Sequence, residues 1–126
     1  MGGAYNIRKF STYRRGLWAE ALCRLALRLK GYRILGTRVR TPVGEIDIVA
    51  VRGRVIALVE VKARPTRSDG LMAITPRQIT RLRRAASAYL GRHQGYADYA
   101  IRFDAMLVTP WRWPEHVERA WEGAET

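Results

Sequence analysis

With 126 residues, 48% of them hydrophobic, the chain can build one domain with a real core and needs no staples. Its single cysteine, Cys23, excludes an internal disulfide framework and a cysteine-rich zinc site. Twenty-three Lys and Arg against 11 Asp and Glu leave a net charge of +12, which points to a polyanionic partner, nucleic acid ahead of an anionic membrane.

No run nears the roughly eighteen apolar residues of a membrane span, and the polar start MGGAYNIRKF is no signal peptide; the expected setting is the cytoplasm, with no membrane partner. Residues 12–30 read as a first helix. Leu17, Ala21, Leu25 and Leu29 recur every four residues, Leu22 and Ala26 widen the stripe, and Gly31 is a natural stop. Residues 32–40 read as a strand that ends at the turn signal Thr41-Pro42-Val43-Gly44. A second strand over 45–51, a tight reversal at Arg52-Gly53 and a third strand over 54–63 make a hairpin. A loop rich in Pro, Ser, Asp and Gly follows. Thr75-Pro76-Arg77-Gln78 then announces a second helix, with an N-cap Thr, Pro in the first position and Gln three after the cap. It runs to about Leu90, with Ile79, Leu82 and Ala86 inward and Arg77, Arg81 and Arg84 outward. Residues 100–109 read as a fourth strand and PEHVERAWEG as a closing helix. The order is α-β-β-β-α-β-α: an α/β fold with a mixed central sheet and flanking helices. One domain spans 1–126, with fraying expected at 1–10 and 123–126.

The acids are unevenly placed. Residues 1–68 carry fifteen Lys or Arg but only four acids, Glu20, Glu45, Asp47 and Glu60, and three of these lie in the hairpin. Strand alternation puts Glu60 and Lys62 on one face, beyond Ile56 and Leu58, and likewise Glu45 with Asp47. Pairing through the turn can bring Asp47 near Glu60, in a register the sequence leaves open. Two carboxylates removed from water repel each other and each costs several kcal/mol, roughly, to desolvate; Lys62 alone cannot neutralise both. A divalent cation can, and hard oxygen donors suit Mg²⁺ or Mn²⁺. Asp47 and Glu60 are therefore candidate metal ligands, with Lys62 placed to orient an attacking water or to stabilise charge on a phosphate. The plainer alternative is a solvated strand face with a same-face Glu60–Lys62 ion pair.

Asp47, then Glu60-Val61-Lys62 across a hairpin, resembles the PD-(D/E)xK nuclease superfamily; Ile46 stands where the motif has Pro. More closely, the chain resembles the YraN family of small bacterial endonuclease-like proteins. The matching stretches are Gly16-Leu17-Trp18-Ala19-Glu20, Gly31-Tyr32-Arg33-Ile34-Leu35, Gly44-Glu45-Ile46-Asp47, Val59-Glu60-Val61-Lys62, the Ala85-Ala86 to Tyr89-Leu90 helix and Arg102-Phe103-Asp104. The resemblance implies a restriction-endonuclease-like fold, similar also to archaeal Holliday-junction resolvases. It implies that Glu20, on the first helix, joins the metal site, where the residues alone also allow a pair with Arg24. It implies a position near the site for Gln78, although a capping box with Thr75 explains that residue without function and is the preferred reading.

Glu45 and Gln78 are auxiliary candidates. Arg64, Arg67, Arg77, Arg81 and Arg84 are candidate phosphate contacts, each also readable as a solvated side chain. Trp111 and Trp113 around Arg112 read as cover for a sheet edge or an oligomer interface, or else as base-stacking groups. Asp104 reads as a structural partner of Arg102, His93 and His116 as solvated, and Cys23 as a small buried apolar residue. The expected function is metal-dependent hydrolysis of phosphodiester bonds, in DNA rather than RNA, with branched or single-stranded substrates favoured. The alternative is a nucleic-acid-binding protein that keeps the fold and does not cut. Cutting two strands would suit a homodimer.

Overall fold

Between residues 33 and 63 valines, isoleucines and leucines recur at strand spacing with turn residues between them, and this stretch folds as three antiparallel strands. A computed structural model describes the backbone of residues 2–122 and the side chains of residues 16–122. Helix α1 (Gly2–Leu29) leads into β1 (Arg33–Thr41), β2 (Gly44–Arg52) and β3 (Val55–Ala63). Helices α2 (Arg67–Met72) and α3 (Pro76–Arg92) cross over to β4 (Ala100–Val108), and β5 (Glu115–Val117) closes the sheet. The strands lie in chain order, β1-β2-β3-β4-β5, with β3 and β4 parallel and the other pairs antiparallel. A mixed sheet entered from a helix, with three antiparallel strands and a helical crossover to a parallel fourth, is the restriction-endonuclease-like arrangement expected. No helix among the described residues is long and apolar enough to cross a membrane.

Two apolar layers hold the sheet. On one face Ala19, Cys23, Ala26 and Leu27 of α1 pack on Ile48, Ala50, Ala57, Val59 and Met106. On the other, Ile79, Leu82, Ala85, Ala86 and Tyr89 of α3 pack on Val49, Val51, Ile56, Leu58 and Ala105. Cys23 is fully buried, as expected, and burial, then the charges of Asp47 and Glu20, push its thiol up to about 12, so it stays protonated.

Several local expectations need correction. The expected stripe of α1 is only partly the buried one: Leu17, Leu25 and Leu29 are exposed, Ala26 is buried as expected, and Ala19, Glu20, Cys23 and Leu27 face the sheet with it. The hairpin reverses at Gly53-Arg54, because Arg52 still pairs with Val55; Gly53 takes a left-handed φ of 60°. Residues 67–72, expected as loop, make a helical turn and a half, started by Thr66, whose side chain accepts from the Asp69 amide, and seated where Gly70 lies against Leu107. The expected closing helix is absent from the described residues. Residues 115–117 pair with β4 instead, and Trp121 is buried, its indole N–H donating to the Thr75 carbonyl at 2.9 Å. The fraying expected at 1–10 and 123–126 falls on residues whose side chains or backbone lie outside those described.

Candidate metal and nucleic-acid site

The regular β2–β3 ladder runs from Arg52–Val55 to Ile48–Val59, so Asp47 and Glu60 are the next residues on facing strands. Beyond this point the carboxylate of Asp47 takes over from the ladder: its Oδ2 accepts from the Val61 amide at 2.8 Å. On the other side of β2, the Thr37–Ile48 and Val39–Ile46 pairs set Arg38 opposite Asp47. Arg38 has a left-handed φ of 51°, a conformation that costs a long side chain about 1–3 kcal/mol. Here strict alternation fails: Ile46 packs in the layer under α3 and Ile48 in the layer under α1, although two residues apart they should share a face. Asp47 thus sits where β2 turns over, between two apolar layers, and the expected common face with Glu45 is lost. Glu45 is exposed, 3.8 Å from Arg40, and lies apart from the buried acids.

Glu60 and Lys62 share a face, as expected, and are close: Lys62 Nζ donates to Glu60 Oε1 at 3.2 Å, with both side chains largely buried. Burial, then the negative charge of Glu60, push the Asp47 carboxyl up to about 7; Glu20 adds to this, while the Val61 amide and Lys62 oppose it. One ammonium therefore faces two acids that cannot both ionise cheaply. Glu20 is buried on α1 and its Oε2 accepts from Arg38 Nε at 2.7 Å, so the residue opposite Asp47 is tied to the helix. Among the described residues no three His, Cys, Asp or Glu side chains converge as a metal-binding group. Asp47 and Glu60 form the pair, and Glu20 acts on Asp47 through its charge while bonded elsewhere.

Gln78 serves the helix: its Oε1 accepts from the Thr75 amide at 3.1 Å, closing the capping box. Arg77, Arg81 and Arg84 are exposed on α3, and Arg81 lies across the β1–β2 turn, its stem where a side chain on Gly44 would stand. Arg64 is exposed just past β3 and donates to the Ala63 carbonyl at 2.8 Å. Arg67 is committed to a fork on Glu115, with Nε to Oε1 at 2.6 Å and Nη2 to Oε2 at 2.9 Å.

The second charged cluster goes further than the sequence suggests. Asp104 is fully buried on β4, held by Arg102 at 2.8 Å, by His116 Nε2 at 2.7 Å and by the Arg119 amide at 3.1 Å. Burial alone would raise its carboxyl; bonds from His116, Arg102 and the Arg119 amide outweigh that and hold it below the ordinary carboxylate range. His116, expected to be solvated on a helix, is a strand residue with a buried ring. Lys30 Nζ donates to its Nδ1 at 2.5 Å, which leaves Nε2 to carry the proton given to Asp104. Tyr32, under the Arg52 guanidinium, also accepts from Arg102. This network ties α1, β4 and β5 together.

The chain matches the model of the "Uncharacterised protein family UPF0102" over residues 19–108, which include every acid of the candidate site and the whole of β1 to β4. It is similar to a "UPF0102 protein" of Parvibaculum lavamentivorans, 52% identical, covering 88% of this chain and 84% of that one. It is also similar to those of Methylorubrum populi, 51% identical over 91% and 92%, and of Chelativorans sp., 46% identical over 94% and 95%.

Proposed function

The chain belongs to the uncharacterised protein family UPF0102, which is the YraN family, and we propose that it is a metal-dependent nuclease that hydrolyses phosphodiester bonds of DNA in the cytoplasm, with branched or single-stranded substrates favoured. The observation that carries this reading is the half-buried pair of acids at the end of the β2–β3 ladder, with Asp47 raised to about 7 by burial and by Glu60, and with the buried Lys62 3.2 Å from Glu60. A protein gains nothing structural from two desolvated carboxylates sharing one ammonium. Two hard oxygen donors fit Mg²⁺ or Mn²⁺, and Mg²⁺ commonly takes one or two carboxylates and completes its shell from substrate phosphate and water, so a cage of three protein acids is not required.

A cation bound there supplies Lewis acidity toward a phosphoryl oxygen. Asp47 and Glu60 hold it, and the Val61 amide fixes the Asp47 carboxylate in place. Lys62, stripped of most of its water, directs its ammonium at the charge that grows on the phosphate and orients the attacking water. Glu20 contributes its charge from α1, and Arg38 holds it there. Arg64 and the α3 row Arg77, Arg81 and Arg84 supply phosphate contacts around the site.

The test is cleavage of labelled duplex, single-stranded and four-way-junction DNA with Mg²⁺, Mn²⁺ or EDTA. Wild type cuts at least one substrate with the ion and none in EDTA, and Asp47→Asn binds without cutting. Binding without cleavage by wild type in every condition would leave the second reading, a nucleic-acid-binding protein on the nuclease fold, which the bond between Glu20 and Arg38 favours.

A further inference from the structure

Past β4 the chain turns through residues 109–114, and here Trp111 is wholly exposed (101%) and Trp113 more than half exposed (55%), with exposed Arg112 between them. The Trp111 indole covers nothing within the described chain. The loop lies at the business end of the sheet. Parallel pairing sets Lys62 opposite Leu107 and Ala63 opposite Val108, and the Arg64 amide donates to the Val108 carbonyl at 3.0 Å. Trp111 lies three residues on from Val108, a reach of about 11 Å at most. Trp111 also has a left-handed φ of 63°, unfavourable for a bulky side chain, and no burial of the indole offsets it.

We propose that Trp111 and Trp113 are a stacking platform for unpaired nucleobases, with Arg112 on the backbone between them, and that the strand delivered to Asp47 and Glu60 is single-stranded where it crosses this loop. The occupant follows from the chemistry present. A net charge of +12 selects a polyanion, and two flat indoles flanking a guanidinium match the alternation of base faces and phosphates along a single strand. A duplex keeps its base faces stacked inside and cannot use the platform except at a frayed end or branch. The inference deepens the nuclease reading and rests on it for the strand's destination, whereas the platform is a binding surface in its own right.

The test is anisotropy of a labelled oligothymidylate and of a blunt duplex of matched length, on the full chain in EDTA at fixed salt. The double variant Trp111→Ala/Trp113→Ala is expected to bind the oligothymidylate about tenfold more weakly, equivalent to ~1.4 kcal/mol, and the duplex within about twofold of wild type. Trp111→Phe/Trp113→Phe keeps most of the affinity, because a ring face remains. Trp18→Ala, which removes an exposed indole from α1, leaves both affinities unchanged. Wild-type affinity of the alanine variant for the single strand overturns the proposal. So does an equal loss for both ligands, or a change in sedimentation with no change in binding, which would make the loop a contact between copies of this chain. Because EDTA removes cleavage from the measurement, an inactive nuclease with an intact stacking preference would sink the catalytic reading and leave this one standing.

Discussion

Replacing Asp47 with Asn removes one charge and almost no volume, which makes it the sharpest probe of the half-buried pair. The carboxyl stands at about 7 in the folded chain against 3.8 ordinarily, so between those values the folded state keeps a proton that the unfolded state has released. Its contribution to stability is therefore full below about pH 4, falls as pH rises at up to roughly 1.4 kcal/mol per pH unit, and levels off above about pH 7. Thermal melts without metal should show wild type losing stability from about pH 5 to 7 and Asp47→Asn losing less; parallel curves would refute the shift. Above about pH 7 the variant should melt higher than wild type, and calorimetric titration should show Mn²⁺ binding lost in both Asp47→Asn and Glu60→Gln. Asp104 has the opposite sign. Its carboxyl is lowered, so its contribution is present above the ordinary carboxylate range and lost as pH falls through the folded value. Asp104→Asn leaves Arg102 and His116 short of a buried anion and should cost about 3–5 kcal/mol in denaturant unfolding. The closeness of Glu60 and Lys62 is legible in the sequence, because strand period puts residues two apart on one face, whereas the face that Asp47 takes is not, because β2 turns over there. His116 is not, because its partners Lys30 and Asp104 come from other elements and no spacing rule joins them.

At the level of elements, α3 is written plainly in the chain: cap, proline, glutamine and an inward stripe all fall where the structure has them. Gln78 offers a clean separation of roles there. Gln78→Ala should lower stability by about 0.5–1 kcal/mol, while Gln78→Glu, which can still close the capping box, should melt near wild type. Unchanged cleavage by Gln78→Glu would assign the residue to the helix, and a selective fall in turnover at normal stability would return it to the site. Helix α1 is less legible for a physical reason. Leucines and alanines lie on two of its sides, so periodicity allows two stripes, and the sheet accepts the one built of Ala19, Cys23 and Ala26, whose small side chains let the helix approach closely. The segment 114–122 has the composition of a helix, yet long-range partners decide its form. Glu115 meets Arg67, His116 meets Asp104, and Trp121 enters the core beneath the start of α3. Tertiary contacts of this kind override local propensity.

For the molecule as a whole, the excess of arginine should make nucleic-acid affinity steeply salt-dependent. Replacing Arg77, Arg81 and Arg84 together by Ala should reduce the slope of log K against log salt by about 2, whereas Arg67→Ala should change it little, since that guanidinium already faces Glu115. Filter binding over a salt series reads both, and an Arg67 effect as large as the triple variant's would reverse the assignment. The sheet bears on how copies of this chain can meet. Its last strand, β5, is only three residues long, and its first, β1, is broken by a register shift between Ile34 and Gly36 and again by the left-handed turn at Arg38. Neither rim presents a straight row of free amides and carbonyls, so neither is a ready template for a neighbouring strand. Two copies of this chain are therefore expected to meet through helices or loops, and the same ragged borders guard strands rich in valine and isoleucine against fibrous aggregation.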